Sequence, residues 1–128
     1  MEENELVEGF EVPSKLIAEI KAKAEKLKEN VGVKRIIPLV IEGDEFDSKD
    51  FYVGYFRQPS TKTFSKYVTA AQSDNIVAMK VLAKDCFVDG DKELLDDESL
   101  FLFGLMGRLQ ELIKMRNGKL VNLSKPGK

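Results

Sequence analysis

The chain has 128 residues, is 43% hydrophobic and 33% charged, and carries a net charge of −2 at pH 7. That balance fits one globular domain with a core of its own and excludes a disordered chain. With no histidine and one cysteine, Cys86, it also excludes Ser-His and Cys-His catalysis, imidazole metal ligands, an internal disulfide and a thiolate zinc site.

The opening residues, MEENELVEGFEV, are acidic and lack the basic and apolar regions of a secretory signal. No apolar run approaches the roughly 18 residues of a membrane span, so a cytoplasmic protein without membrane contact is expected. Residues 1–12 read as a flexible acidic arm. Pro13 and Ser14 then open a helix over 13–31. Leu16, Ile17, Ile20, Ala24 and Leu27 fall on one stripe, and Lys15, Glu19 and Lys23 follow one another at a spacing of four. Gly32 is the expected stop.

Residues 33–58 predict an antiparallel β-hairpin. VKRIIPLVIE is rich in β-branched residues, GDEFDSKD is a polar loop, and FYVGYFRQ supplies the second strand. Pro38 has no N–H to donate, which places its strand at an edge or at a bulge. In the second strand Phe51, Val53 and Tyr55 point one way, Tyr52 and Phe56 the other. A lone hairpin is marginal in water, so helices or another chain must cover both faces.

After Pro59 the hydrophobic period changes from two to 3.6, and residues 60–117 predict a three-helix unit. Ser60 or Thr61 caps its first helix, in which Phe64, Tyr67, Val68 and Ala71 form the face expected to be buried. Asp74 caps the second, where Met79, Leu82, Ala83 and Cys86 share a face that makes Cys86 a core residue. Residues 88–98 read as a polar loop holding one helical turn at Leu94 and Leu95. Asp96 or Asp97 caps a long last helix with a stripe of Leu102, Leu105, Met106, Leu109, Leu112 and Ile113, widened by Phe101 and Phe103. Gly104 and Gly107 cost that helix about 1 kcal/mol each against alanine, a sign of close packing. Residues 119–128 are a basic, fraying tail. The predicted fold is α+β and mainly helical: an N-terminal helix, one antiparallel β-hairpin and a three-helix C-terminal unit in a single domain.

The acidic run from Asp89 to Glu98 has the look of a calcium loop, but Leu94 and Leu100 stand where an EF-hand needs Gly and Glu. It reads as a solvated capping loop. No Gly-rich phosphate loop is present. The aromatic cluster before Arg57 could stack bases, yet only Lys62 and Lys66 follow it, and core packing explains it better. No catalytic, cofactor-binding or metal residue is predicted, and the chain reads as a protein that acts by contact rather than as an enzyme. The interaction candidates are Tyr52, Phe56, Arg57, Pro59, Phe101 and Phe103. Two rivals are a nucleic-acid-binding regulator and a small enzyme working with carboxylates.

From residue 50 onward the order of features is specific: an aromatic strand ending in YFRQPS, the helix TFSKYVTAAQ, an Asp-led helix DNIVAMKVLAKDCFV, the acidic DGDKELLDDESLF and a final helix. This order resembles the small tail assembly chaperones of long-tailed bacteriophages and related prophages. Arg57, Pro59 and Cys86 match the pattern at the strand end and the helix end. The resemblance implies a non-enzymatic adaptor in the bacterial host cytoplasm that binds the tape-measure protein and recruits tail-tube subunits, often made in a second, frameshifted length. Beside the resemblance, the apolar strands with an exposed edge and the wide Phe-rich helix face predict a chain that self-associates or binds a helical client.

Overall fold

β-branched and aromatic residues fit a pleated, half-buried surface, and the segments predicted from them pair as the middle of the fold. The computed structural model describes residues 4–7 and 10–124. Strands β3 (Ile36–Glu42) and β4 (Phe51–Arg57) pair antiparallel from Ile36 opposite Arg57 to Glu42 opposite Phe51. A third strand, β5 (Phe87–Gly90), adds antiparallel to the other side of β4, with an irregularity between Tyr55 and Phe56. The sheet order β3-β4-β5 leaves β3 at an edge, where Pro38 is tolerated as expected.

The helices follow from the 3.6-residue period and their caps. Helix α1 (Ser14–Val31) begins after Pro13 and ends at Gly32, whose left-handed φ of 74° lets its N–H reach the Lys28 carbonyl at 3.0 Å. Ser60 caps α2 (Thr61–Ala71) by accepting from the Thr63 amide, and Asp74 caps α3 (Asn75–Cys86) by accepting from Ile76 and Val77. Two short helices follow, α4 (Glu93–Asp96) and α5 (Glu98–Phe103), the second capped by Asp97 through the Leu100 amide. A 3-10 helix spans Leu105–Ile113. The fold is α+β, with a helix before the hairpin and helices after it.

Each face of the sheet is covered by the chain's own helices. Leu39, Ile41, Tyr52 and Phe56 lie on one face and join one core with Met79, Leu82, Ala83 and Cys86 of α3. Leu94 of α4, Leu100 and Phe101 of α5, and Leu105, Leu109 and Leu112 complete it. On the opposite face Tyr55 is buried, and Lys23 of α1 stands 5.1 Å from its ring centre. Val12 and Ile20 are buried where α1 packs on its neighbours.

Four expectations are corrected. Within the span read as a flexible acidic arm, β1 (Asn4–Val7) pairs antiparallel with β2 (Phe10–Pro13), and Val12 is fully buried. The apolar positions Leu6, Val7, Phe10 and Val12 support a strand despite the surrounding acids; residues 1–3 and 8–9 lie outside the described residues. The predicted helical unit is interrupted by β5, four residues too short to show a period. The long last helix breaks at Gly104, with φ −129° and ψ −79°, because its backbone passes Ile41 so closely that an added Cβ would stand 2.7 Å from Ile41 Cγ2. Beyond its chain neighbours and its own helix backbone, Gly107 has nothing within 4 Å of an added Cβ, so close packing explains the first glycine only. Past Ile113 the described chain has no helix or strand; residues 125–128 of the predicted tail lie outside the described residues.

The fourth correction concerns α2. The face expected to be buried was Phe64, Tyr67, Val68 and Ala71. Instead Thr63 is the buried residue, with Tyr67 and Ala70 partly buried beside it, while Phe64 and Val68 remain 42% and 41% exposed. α2 packs mainly on α3, which needs only one narrow row of contacts, so the apolar stripe overhangs the contact line by about one residue.

Candidate protein-interaction surface

The six predicted contact residues separate by burial. Tyr52, Phe56 and Phe101 are core residues, 3%, 0% and 2% exposed, and offer nothing to a partner. Phe56 meets Phe87 of β5 edge-to-face with ring centres 5.5 Å apart. Arg57 is exposed at the end of β4 and donates from Nη2 to the Asp85 carbonyl at 3.3 Å. Pro59 is half-buried at the strand-to-helix junction, and Phe103, on the outer side of α5, is 86% exposed. The structure therefore does not gather the six into one surface.

The largest change from expectation is the α2–α3 hairpin. Phe64 and Val68 are one turn apart on α2, and Ile76 and Val77 at the start of α3 are 43% and 47% exposed. Phe64 stacks loosely on Tyr67, ring centres 5.9 Å apart. The base of this hairpin is held by charge. Asp85 accepts from Lys66 at 2.6 Å and from Thr63 Oγ1 at 3.2 Å, joining α3 to α2. The Lys66 hydrogen bond, opposed by partial desolvation, holds the Asp85 carboxyl below the usual carboxylate range.

A second polar tie fixes the acidic loop. Asp91 accepts the Val53 amide at 2.9 Å and Lys49 Nζ at 2.7 Å, while its own N–H donates to the Val53 carbonyl at 2.9 Å. The Asp91 hydrogen bond raises the Lys49 pKa. Asp89 accepts the Gly90 amide and pairs with Lys23 at 3.3 Å, and that amide is the first cause of its lowered pKa. These carboxylates work on the chain's own backbone and lysines. Among the described residues no group of three His, Cys, Asp or Glu side chains is placed to hold a metal ion. Burial pushes the Cys86 thiol up to about 11. No helix of the described residues is long and apolar enough to cross a membrane.

Two surface depressions flank the sheet. One, of about 320 Å³, is lined by Arg35, Gln58, Glu111, Lys114 and Arg116 at the start of β3. The other, of about 130 Å³, lies at the end of β3 between the 43–50 loop and α5, with Ile41, Leu100 and Phe103 among Glu42, Asp44 and Asp47. Sequence reasoning missed the second one because Asp44 and Asp47 are far from Phe103 in the chain and only the fold places their two segments side by side.

The geometry defines an α+β domain with a covered sheet and a helical hairpin whose inner helix, α3, is part of the core and whose outer helix, α2, packs on it. No protein-family model matches the chain, and no match is found among curated proteins. Among solved structures, its fold is similar to that of an uncharacterised protein from Bacillus stearothermophilus, with a TM-score of 0.52 and 24% sequence identity. The likeness covers 77% of this chain and 98% of the other and speaks to the fold.

Proposed function

We propose that the protein is a non-enzymatic assembly adaptor resembling the phage tail assembly chaperones, cytoplasmic in a bacterial host, that binds a tape-measure or tail-tube protein. The observation that supports this best is the set of exposed apolar side chains on the α2–α3 hairpin. Phe64, Val68, Ile76 and Val77 are each between 41% and 47% exposed although both helices of the hairpin are regular and α3 is part of the core. Phe64 and Val68, one turn apart on α2, suit a client helix laid alongside it.

Co-expression with the tape-measure protein of the same prophage tests the reading. The adaptor should co-purify with its client and raise the client's solubility, and the double substitution Phe64→Ser/Val68→Ser should abolish both effects. A client that stays insoluble and never co-purifies would overturn it.

One observation favours a second reading, a small nucleic-acid-binding or regulatory protein. Arg35, Lys114 and Arg116 converge on one depression, although Glu111 shares it. Binding of single-stranded DNA or RNA that weakens steeply with salt would support that alternative.

A further inference from the structure

We propose that the segment 114–124 docks in the acidic pocket at the end of β3 of a second copy of this chain, the two copies exchanging segments. The proposal does not rest on the adaptor reading, which concerns the α2–α3 hairpin.

The two surfaces complement each other. Five of the chain's 20 Lys and Arg residues, and none of its 22 Asp and Glu, lie from residue 114 on, so the basic tail follows a body holding 15 bases against 22 acids. Within that tail Leu120 and Leu123 are 94% and 89% exposed and flank Val121. The pocket supplies the opposite pair of properties. Ile41, Leu100 and Phe103 form its apolar wall, and Glu42, Asp44 and Asp47 form its rim. Asp47 accepts the Asp44 amide and Asp44 accepts the Phe46 amide, so the loop holds its own shape while carrying negative charge. At about 130 Å³ the pocket suits one aliphatic side chain at a time.

Among the described residues neither surface is covered within one chain. Lys114 and Met115 line the depression near Arg35 and Ile37, at the start of β3, whereas the acidic pocket is at Ile41 and Glu42. Those ends of the strand are about 13 Å apart at 3.3 Å per residue. The segment starts at the far end of the strand from its own pocket, and its Leu120 and Leu123 lie in water instead of filling that pocket. Exchange between two copies covers both surfaces twice in a closed, self-complementary pair.

Sedimentation velocity of the full chain over a range of concentrations, at low and high salt, tests the proposal. The expected result is a dimer weakened by salt and weakened about tenfold or more by Phe103→Ser or by Leu120→Ser/Leu123→Ser. These side chains are exposed, and thermal melting by circular dichroism verifies that each variant is folded. Mixing the two variants should recover a heterodimer, because one intact segment meets one intact pocket. Glu42→Lys and Lys119→Glu should each weaken the dimer and recover it when combined. A wild-type monomer across the whole range, including one whose segment folds back on its own body, overturns the proposal. So does a dimer indifferent to both surfaces.

Discussion

Asp91 shows how much one side chain does in this fold. Its carboxylate joins a backbone amide of β4 to Lys49 of the preceding loop, and its backbone bonds β4 a second time. Asp91→Ala should destabilise the protein by about 1–3 kcal/mol, because the Val53 amide loses its acceptor while partly buried. Asp91→Asn keeps an acceptor and should lose less; urea denaturation of both variants checks the order. Asp85 and Asp89 have lowered pKa values for local reasons, the Lys66 hydrogen bond and the Gly90 amide respectively. A depressed folded-state pKa contributes stability that is present above the unfolded carboxylate value and is lost as pH falls through the folded one. The urea midpoint should therefore fall on acidification below about pH 4, and Asp85→Asn should flatten that fall. Cys86 has the opposite shift, caused first by burial. At about pH 8 it should resist thiol reagents until the protein unfolds, so that labelling follows unfolding in denaturant.

At the scale of elements, close contacts decide where helices stop and strands meet. Gly90 has a φ of 123°, and a Cβ there would collide with the Val53 carbonyl oxygen, so β5 can approach β4 only with glycine at that point. At Gly104 a Cβ would lie 2.6 Å from the Leu100 carbonyl oxygen, while Gly107 has open space. Gly90→Ala and Gly104→Ala should each cost about 1–3 kcal/mol, whereas Gly107→Ala should be neutral or stabilising. Thermal denaturation of the three variants measures this, and equal losses at Gly104 and Gly107 would sink the account of the helix break. The overhang of α2 belongs to the same scale. Hydrophobic spacing located the helix and its cap correctly, yet the packed row centres on Thr63, Tyr67 and Ala70. Periodicity ranks faces by polarity; it does not reveal that α2 has little besides α3 to pack on.

At the scale of the molecule, the sheet is a shared wall between two layers of helix. β4 is paired on both sides and has buried residues on both faces, so its amides should exchange with solvent most slowly. Residues past Ile113 should exchange fastest unless a second copy protects them, and hydrogen exchange at low and high protein concentration separates these cases. The bounds of α1, the starts of α2, α3 and α5 with their caps to within one residue, and the burial of Cys86 were legible from local chemistry, and the missing N–H of Pro38 narrowed its strand to an edge or a bulge. A cap needs only a side-chain oxygen two or three residues before its amide, and a missing N–H declares itself in the residue type. Which aromatics face a partner was not legible. Tyr52, Phe56 and Phe101 have the same chemistry as Phe103, and only the tertiary structure puts three of them inside and one outside. The reason is physical: local sequence determines periodicity, caps and breaks through contacts a few residues apart. Whether an apolar face is covered depends on segments tens of residues away, and their arrival is decided by the packing of the whole chain.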